Sequence, residues 1–242
     1  MTAAHRSSAP NASRRYVAEL LGTFALVVLG PGAAMVAART HAFGHAGVAL
    51  AFGLVVTIVV ASTGHIGGAH INPAVTLGFW SVGRFPGRDV LPYVSAQCAG
   101  AVLASALLSW LLGTAGGVGA TTPMLPLAQS LVVELGYSAL LAFVIMGVAT
   151  DPRASASAAP FVIGATVFAG ALVAGPLTGG SFNPARTLGP AVVGGVWTAH
   201  WLYWLAPILG MMAGMRLYLM LAERVVLASP GAPLGTEGPI AV

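Results

Sequence analysis

The sequence predicts an all-α membrane protein, with six transmembrane helices and two re-entrant half-helices arranged as an inverted repeat. Three observations predict it. Of 242 residues, 57% are hydrophobic and 7% are charged, against roughly a quarter charged in an ordinary soluble domain; so few charges cannot cover a soluble bundle. The apolar residues fall in runs such as YVAELLGTFALVVLGPGAAMVAA and VALAFGLVVTIVVAS, close to the ~20 residues that cross a hydrocarbon core as a helix. One block, GHIGGAHINPAVTLGF, returns in the second half as GPLTGGSFNPARTLGP.

The spans run at roughly 16–38, 46–64, 90–112, 129–150, 159–177 and 198–222. An even number places both termini on one side. Two further apolar pieces, about 73–82 and 184–193, are too short to cross, and each starts at a proline. Proline suits the first turn of a helix, where its missing amide hydrogen costs nothing. Arg6, Arg14, Arg15, Arg84, Arg88, Arg153 and Arg224 share one face, opposite Arg39 and the uncharged loop GTAGGVGATTPMLPLAQ. That asymmetry orients both tails toward the cytoplasm of a multi-pass protein in the plasma or inner membrane. The formal charge of +4 comes from arginine alone and forms no basic stripe, so the partner is the lipid bilayer and not nucleic acid. Residues 1–14 and 226–242 are expected as disordered tails around a membrane domain of 15–225, with halves at about 15–112 and 129–222.

The repeat organises the domain. Gly64, Gly68, Asn72, Pro73, Ala74, Thr76, Leu77 and Gly78 recur as Gly175, Gly179, Asn183, Pro184, Ala185, Thr187, Leu188 and Gly189 under one constant offset. Three spans per half is odd, so the second half enters from the other face and equivalent segments meet near the midplane. Each half-helix then turns a positive, amide-bearing end to the bilayer centre. Non-helical backbone is tolerated there only if buried or lining a water-filled cavity. The stretches IGGAHI and LTGGSF therefore imply a pore, with Gly68, Ala69, His70, Gly179 and Ser181 as its lining backbone. Asn72 and Asn183 are placed to cap their half-helices and to offer amide donors to a passing oxygen, whose hydrogens then point outward and break any proton relay.

Glu19 and Glu134 are the acidic residues well within spans, in matching AEL and VEL contexts. A carboxylate in the membrane must be paired or hydrogen-bonded. The expected partners are the amides of the re-entrant loop of each half; a proton relay, as in a secondary transporter, is the alternative, without an acidic chain to carry it. Arg186 breaks the symmetry, since Val75 is its counterpart. On the helix face that carries Asn183, a guanidinium rejects cations and donates to polar solutes. Cys98 supports no disulfide or metal site, and His5, His41, His45 and His200 have no metal-ligand spacing. His65 and His70 fall in the first re-entrant loop; a pH-sensitive gate, if present, would use His70 or His45. With no paired carboxylates, Ser–His pair or metal cluster, neither enzyme activity nor a cofactor is expected.

These residues resemble the aquaporin and aquaglyceroporin family, the major intrinsic proteins. The two Asn-Pro-Ala boxes, Arg186, both glutamates and STGHIGGAHINPAVT carry the resemblance across roughly 15–225. It implies an aquaporin-like right-handed bundle, a pore in every subunit and a homotetramer that passes water and small neutral solutes while excluding protons and ions. It also implies a second constriction at Arg186, carried over to Phe52, Ala171 and Gly180. Water-selective members place histidine and a small polar residue at the latter two positions. Ala171 and Gly180 thus imply a wider, less polar opening. AGPLTGGSFNPARTLGPA is similar to the nodulin-like intrinsic proteins, which pass glycerol, urea, or boric, silicic or arsenous acid. Glycerol facilitators carry aspartate where Thr187 stands. A strict water channel is the alternative within the family.

Overall fold

The computed structural model describes residues 11–114 and 116–228, with the side chains of 223–228 excepted. His5, Arg6, the Arg224 side chain and most of both expected tails lie outside the described residues. Eight α-helices follow in order: α1 (Ala12–Thr40), α2 (His45–Gly67), α3 (Pro73–Ser81), α4 (Gly87–Leu112), α5 (Leu127–Ala149), α6 (Ala159–Thr178), α7 (Pro184–Gly194) and α8 (Leu202–Ala228). Six are long and apolar enough to cross a membrane. The half-helices α3 and α7 have 9 and 11 residues, which at 1.5 Å per residue reach about half of a ~30 Å hydrocarbon core.

Local chemistry moves some boundaries. Asn11 accepts from the Arg14 amide at 3.0 Å and so caps α1, drawing residues 12–14 from the expected tail into helix. At the other end α8 runs to Ala228, past the expected limit of 225. It starts at Leu202 and not at 198, because Ala199 takes a left-handed φ of 47° in the turn before it. His65 sits exposed in the last turn of α2 and not in the loop beyond it.

The two halves interlock. Within each, the first helix packs on the last, α1 on α4 and α5 on α8. Across them, α2 packs on α6, while α3 packs on α8 and α7 on α4. Each half-helix is thus seated against a helix of the opposite half. The α2–α6 crossing is tight because glycines face each other: a Cβ at Gly53 would lie 2.8 Å from the Gly164 carbonyl, and one at Gly164 would lie 2.6 Å from the Gly53 carbonyl. Small residues let helices approach closely where no water drives them together. Arginines close the ends: Arg39 donates to the Leu112 carbonyl at 3.0 Å. Arg216, which the topology reading passed over, reaches the Ser81 carbonyl at the end of α3 at 3.3 Å. Cations there complement the negative end of a helix dipole.

Candidate pore and its constriction

The two re-entrant loops have the same backbone. Gly68, Ala69 and Ile71 have positive φ (81°, 48° and 45°), and so do their repeat counterparts Gly179, Gly180 and Phe182 (86°, 56° and 52°). Left-handed non-glycine residues are uncommon and need support from their surroundings. The glutamates supply it. Glu19, fully buried, accepts from the His70 amide at 2.7 Å, the Ile71 amide at 2.6 Å and the Gln97 side chain at 2.7 Å. Glu134, also fully buried, accepts from the Ser181 amide at 3.0 Å, the Phe182 amide at 2.8 Å and the Thr178 hydroxyl at 2.7 Å.

At the centre, each asparagine works twice. Asn72 Oδ1 accepts from the Ala74 amide at 2.9 Å, and Asn183 Oδ1 accepts from those of Ala185 at 3.0 Å and Arg186 at 3.3 Å. Pro73 and Pro184 open the half-helices at N1, and Ala74 and Ala185 are fully buried. The amide nitrogens cross over: Asn72 Nδ2 donates to the Phe182 carbonyl and Asn183 Nδ2 to the Ile71 carbonyl, both at 2.8 Å. One donor of each asparagine therefore ties the loops together. That leaves one hydrogen each for the cavity that both residues line.

Two tyrosines that the sequence reading did not single out latch the loops from behind. Tyr93 donates to the Gly67 carbonyl at 2.9 Å, and Tyr203, its counterpart in α8, to the Thr178 carbonyl. Their near-equal placement in the third span of each half was the available signal. The His70 ring turns away from the centre into an aromatic nest: it stacks on Phe79 at 5.0 Å, with Phe85 and Tyr93 at 4.9 and 5.3 Å.

Two cavities meet at one ring of residues. The inner, of about 120 Å³, is lined by Gly68, Ala69, His70, Asn72, Ser181 and Asn183 against an apolar wall that includes Val56, Leu141 and Ile163. The outer, of about 590 Å³, takes in His41, His45, Gly119, Gly175 and Gly179. The residues lining both are Phe52, Ala171, Gly180 and Arg186. Arg186 is 4% exposed. Its Nη1 donates to the Gly119 carbonyl at 2.9 Å, and its guanidinium carbon lies 5.2 Å from the Phe52 ring centroid, a cation–π contact. Its buried Nε has no partner among the described residues. Phe52 fits because position 30 is glycine: a Cβ there would collide with the ring.

The loop between α4 and α5 supplies the remaining support, which the sequence reading treated only as an uncharged linker. Besides Gly119, Thr121 bonds to Thr187 at 2.9 Å, and Thr187 bonds to Ser181. A hydroxyl chain thus joins this loop to the second re-entrant loop.

The family model for major intrinsic proteins matches residues 6–218. The chain belongs to the major intrinsic protein family. Among relatives of this family, Aquaporin NIP1-1 of Zea mays is 44% identical over 85% of this chain and 73% of its own length. Aquaporin NIP1-3 of Oryza sativa subsp. japonica is 45% identical with the same coverage. The X-ray structure of the aquaglyceroporin from Plasmodium falciparum superposes with a TM-score of 0.74 at 24% identity, covering 89% of this chain and 97% of that one. This major intrinsic protein is accordingly a multi-pass channel protein with the aquaporin fold and not an enzyme.

Proposed function

We propose that the chain is a passive channel for water and small uncharged solutes, such as glycerol, urea or a metalloid acid, with a constriction wider than that of a strict water channel. The observation that carries this reading is the ring common to both cavities. It has one hydrogen-bonding side chain, Arg186, facing an aromatic wall, Phe52, with Ala171 and Gly180 adding almost no bulk. A fixed guanidinium rejects cations and donates to hydroxyl or carbonyl oxygens, while the phenyl face suits the carbon edge of the same solute. Asn72 and Asn183, at the meeting point of two positive helix ends, form the barrier to protons. Glu19 and Glu134 serve as loop supports in this reading, since their carboxylates are occupied by amide and side-chain donors. That occupancy speaks against a proton-coupled transporter.

The channel domain, from the start of α1 to the end of α8, assembles as a homotetramer, multi-pass in the plasma or inner membrane with cytoplasmic termini. The arginine asymmetry supports that orientation, with Arg15, Arg84 and Arg153 on one face. Proteoliposome flux tests the solute class: water, glycerol and boric or arsenous acid should all pass without a pH gradient or membrane potential. Passage of water alone would reject the wide pore, and dependence on a gradient of protons would reject the channel.

A further inference from the structure

The constriction has a support that enters from the outer cavity. Pro176 lies inside α6. Having no N–H, it cannot bond the carbonyl four residues back, and its ring crowds that carbonyl. The carbonyl belongs to Leu172, next to Ala171 of the constriction. A helix carbonyl that loses its amide partner needs another donor. His45, the first residue of α2, meets the need: its Nε2 lies 2.8 Å from the Leu172 oxygen. A carbonyl only accepts, so Nε2 carries the hydrogen. The imidazole reaches α6 because residue 175 is glycine, where a Cβ would come within 2.5 Å of the His45 ring. His45, Ala171, Gly175, Gly180 and Arg186 line the same outer cavity. The first half has no such break, since the counterpart of Pro176 is His65, which keeps its amide.

We propose that His45 is a positioning residue of the constriction: its imidazole N–H replaces the helical donor that Pro176 removes, and so fixes the α6 backbone at Ala171 and the approach to Gly180. The proposal rests on the constriction selecting solutes as described above. It makes His45 and Pro176 a coupled pair, because a residue with an amide at 176 would satisfy Leu172 from within α6.

The test is a cycle of full-length variants in proteoliposomes, read as the ratio of glycerol to erythritol permeability alongside water permeability. His45→Ala should lower the ratio about threefold, the effect of one lost hydrogen bond on positioning. His45→Gln, which keeps an N–H donor, should hold it near wild type. Pro176→Ala should leave the ratio unchanged, and His45→Ala in the Pro176→Ala background should recover it. An unchanged ratio in His45→Ala, or an equal drop in both backgrounds, overturns the role. Ala171→Phe is the separate control: if it fails to block glycerol, the constriction is misassigned, whereas an effective Ala171→Phe beside a silent His45→Ala rejects His45 alone. Should the wild type exclude glycerol, the same pattern of loss and rescue is read on water permeability.

Discussion

Arg186 is held by one carbonyl and one aromatic face, so its charge is fixed in place with no carboxylate bonded to it among the described residues. Replacing it by valine, the residue of the first repeat, should admit small cations; ionic conductance of planar bilayers would reveal this, and an unchanged conductance would remove the arginine from the filter. Glu19 is the converse case, a charge that acts through its acceptors. Glu19→Ala strands two buried amides and one hydrogen of the Gln97 side-chain amide, whose other bond, to Thr76, remains, at about 1–3 kcal/mol for each orphaned donor. Folded yield and melting temperature in detergent should fall sharply. Glu19→Gln, which keeps one acceptor oxygen but turns an NH2 against a donor, should fall between the two. The asparagines, prolines, glutamates and Arg186 were legible because the repeat states them twice, or breaks once. Gly119 and Thr121 were not, since a main-chain carbonyl has no side-chain signature and their loop has no periodicity.

Among the helices, hydropathy located the segments to within a few residues, apart from the far end of α8, since lipid demands long apolar runs and Pro73 and Pro184 mark where the short ones begin. The misplaced start of α8 reflects a turn whose aromatic residues, Trp197 and Trp201, read as apolar as a span does. Which helices touch was not legible beyond the symmetry, because glycine-lined crossings are ordinary composition in a glycine-rich chain. The α2–α6 crossing gives a clean comparison. Gly164→Leu would drive a side chain into the Gly53 carbonyl and Thr57, whereas a Cβ at Gly136 has open space. Size-exclusion profiles should show loss of the folded species for the first substitution and little change for Gly136→Leu; equal behaviour would mean the crossing is not close-packed.

For the molecule as a whole, Asp151, just past the end of α5, is pinned to α8. Asp151 accepts from Arg153 at 2.8 Å and from Tyr218, and these donors, Arg153 foremost, hold its carboxyl well below the usual range. A depressed folded value means that the stabilisation is complete above the unfolded value near ~3.9 and is lost as pH falls through the folded one. Asp151→Asn should therefore lower the melting temperature equally at pH 7 and pH 5, with the gap closing only in stronger acid; a gap that closed between pH 7 and 5 would point to another group. The crossed asparagine bonds carry a different consequence, for biogenesis. Asn72 completes its bonding on Phe182, and Asn183 on Ile71, so the first half leaves the ribosome with its central loop unfinished. It must wait in the bilayer for the second half to be threaded in from the opposite side. Insertion of the early helices and closure of the pore are separate events in time, the second gated by the arrival of residues some hundred positions later.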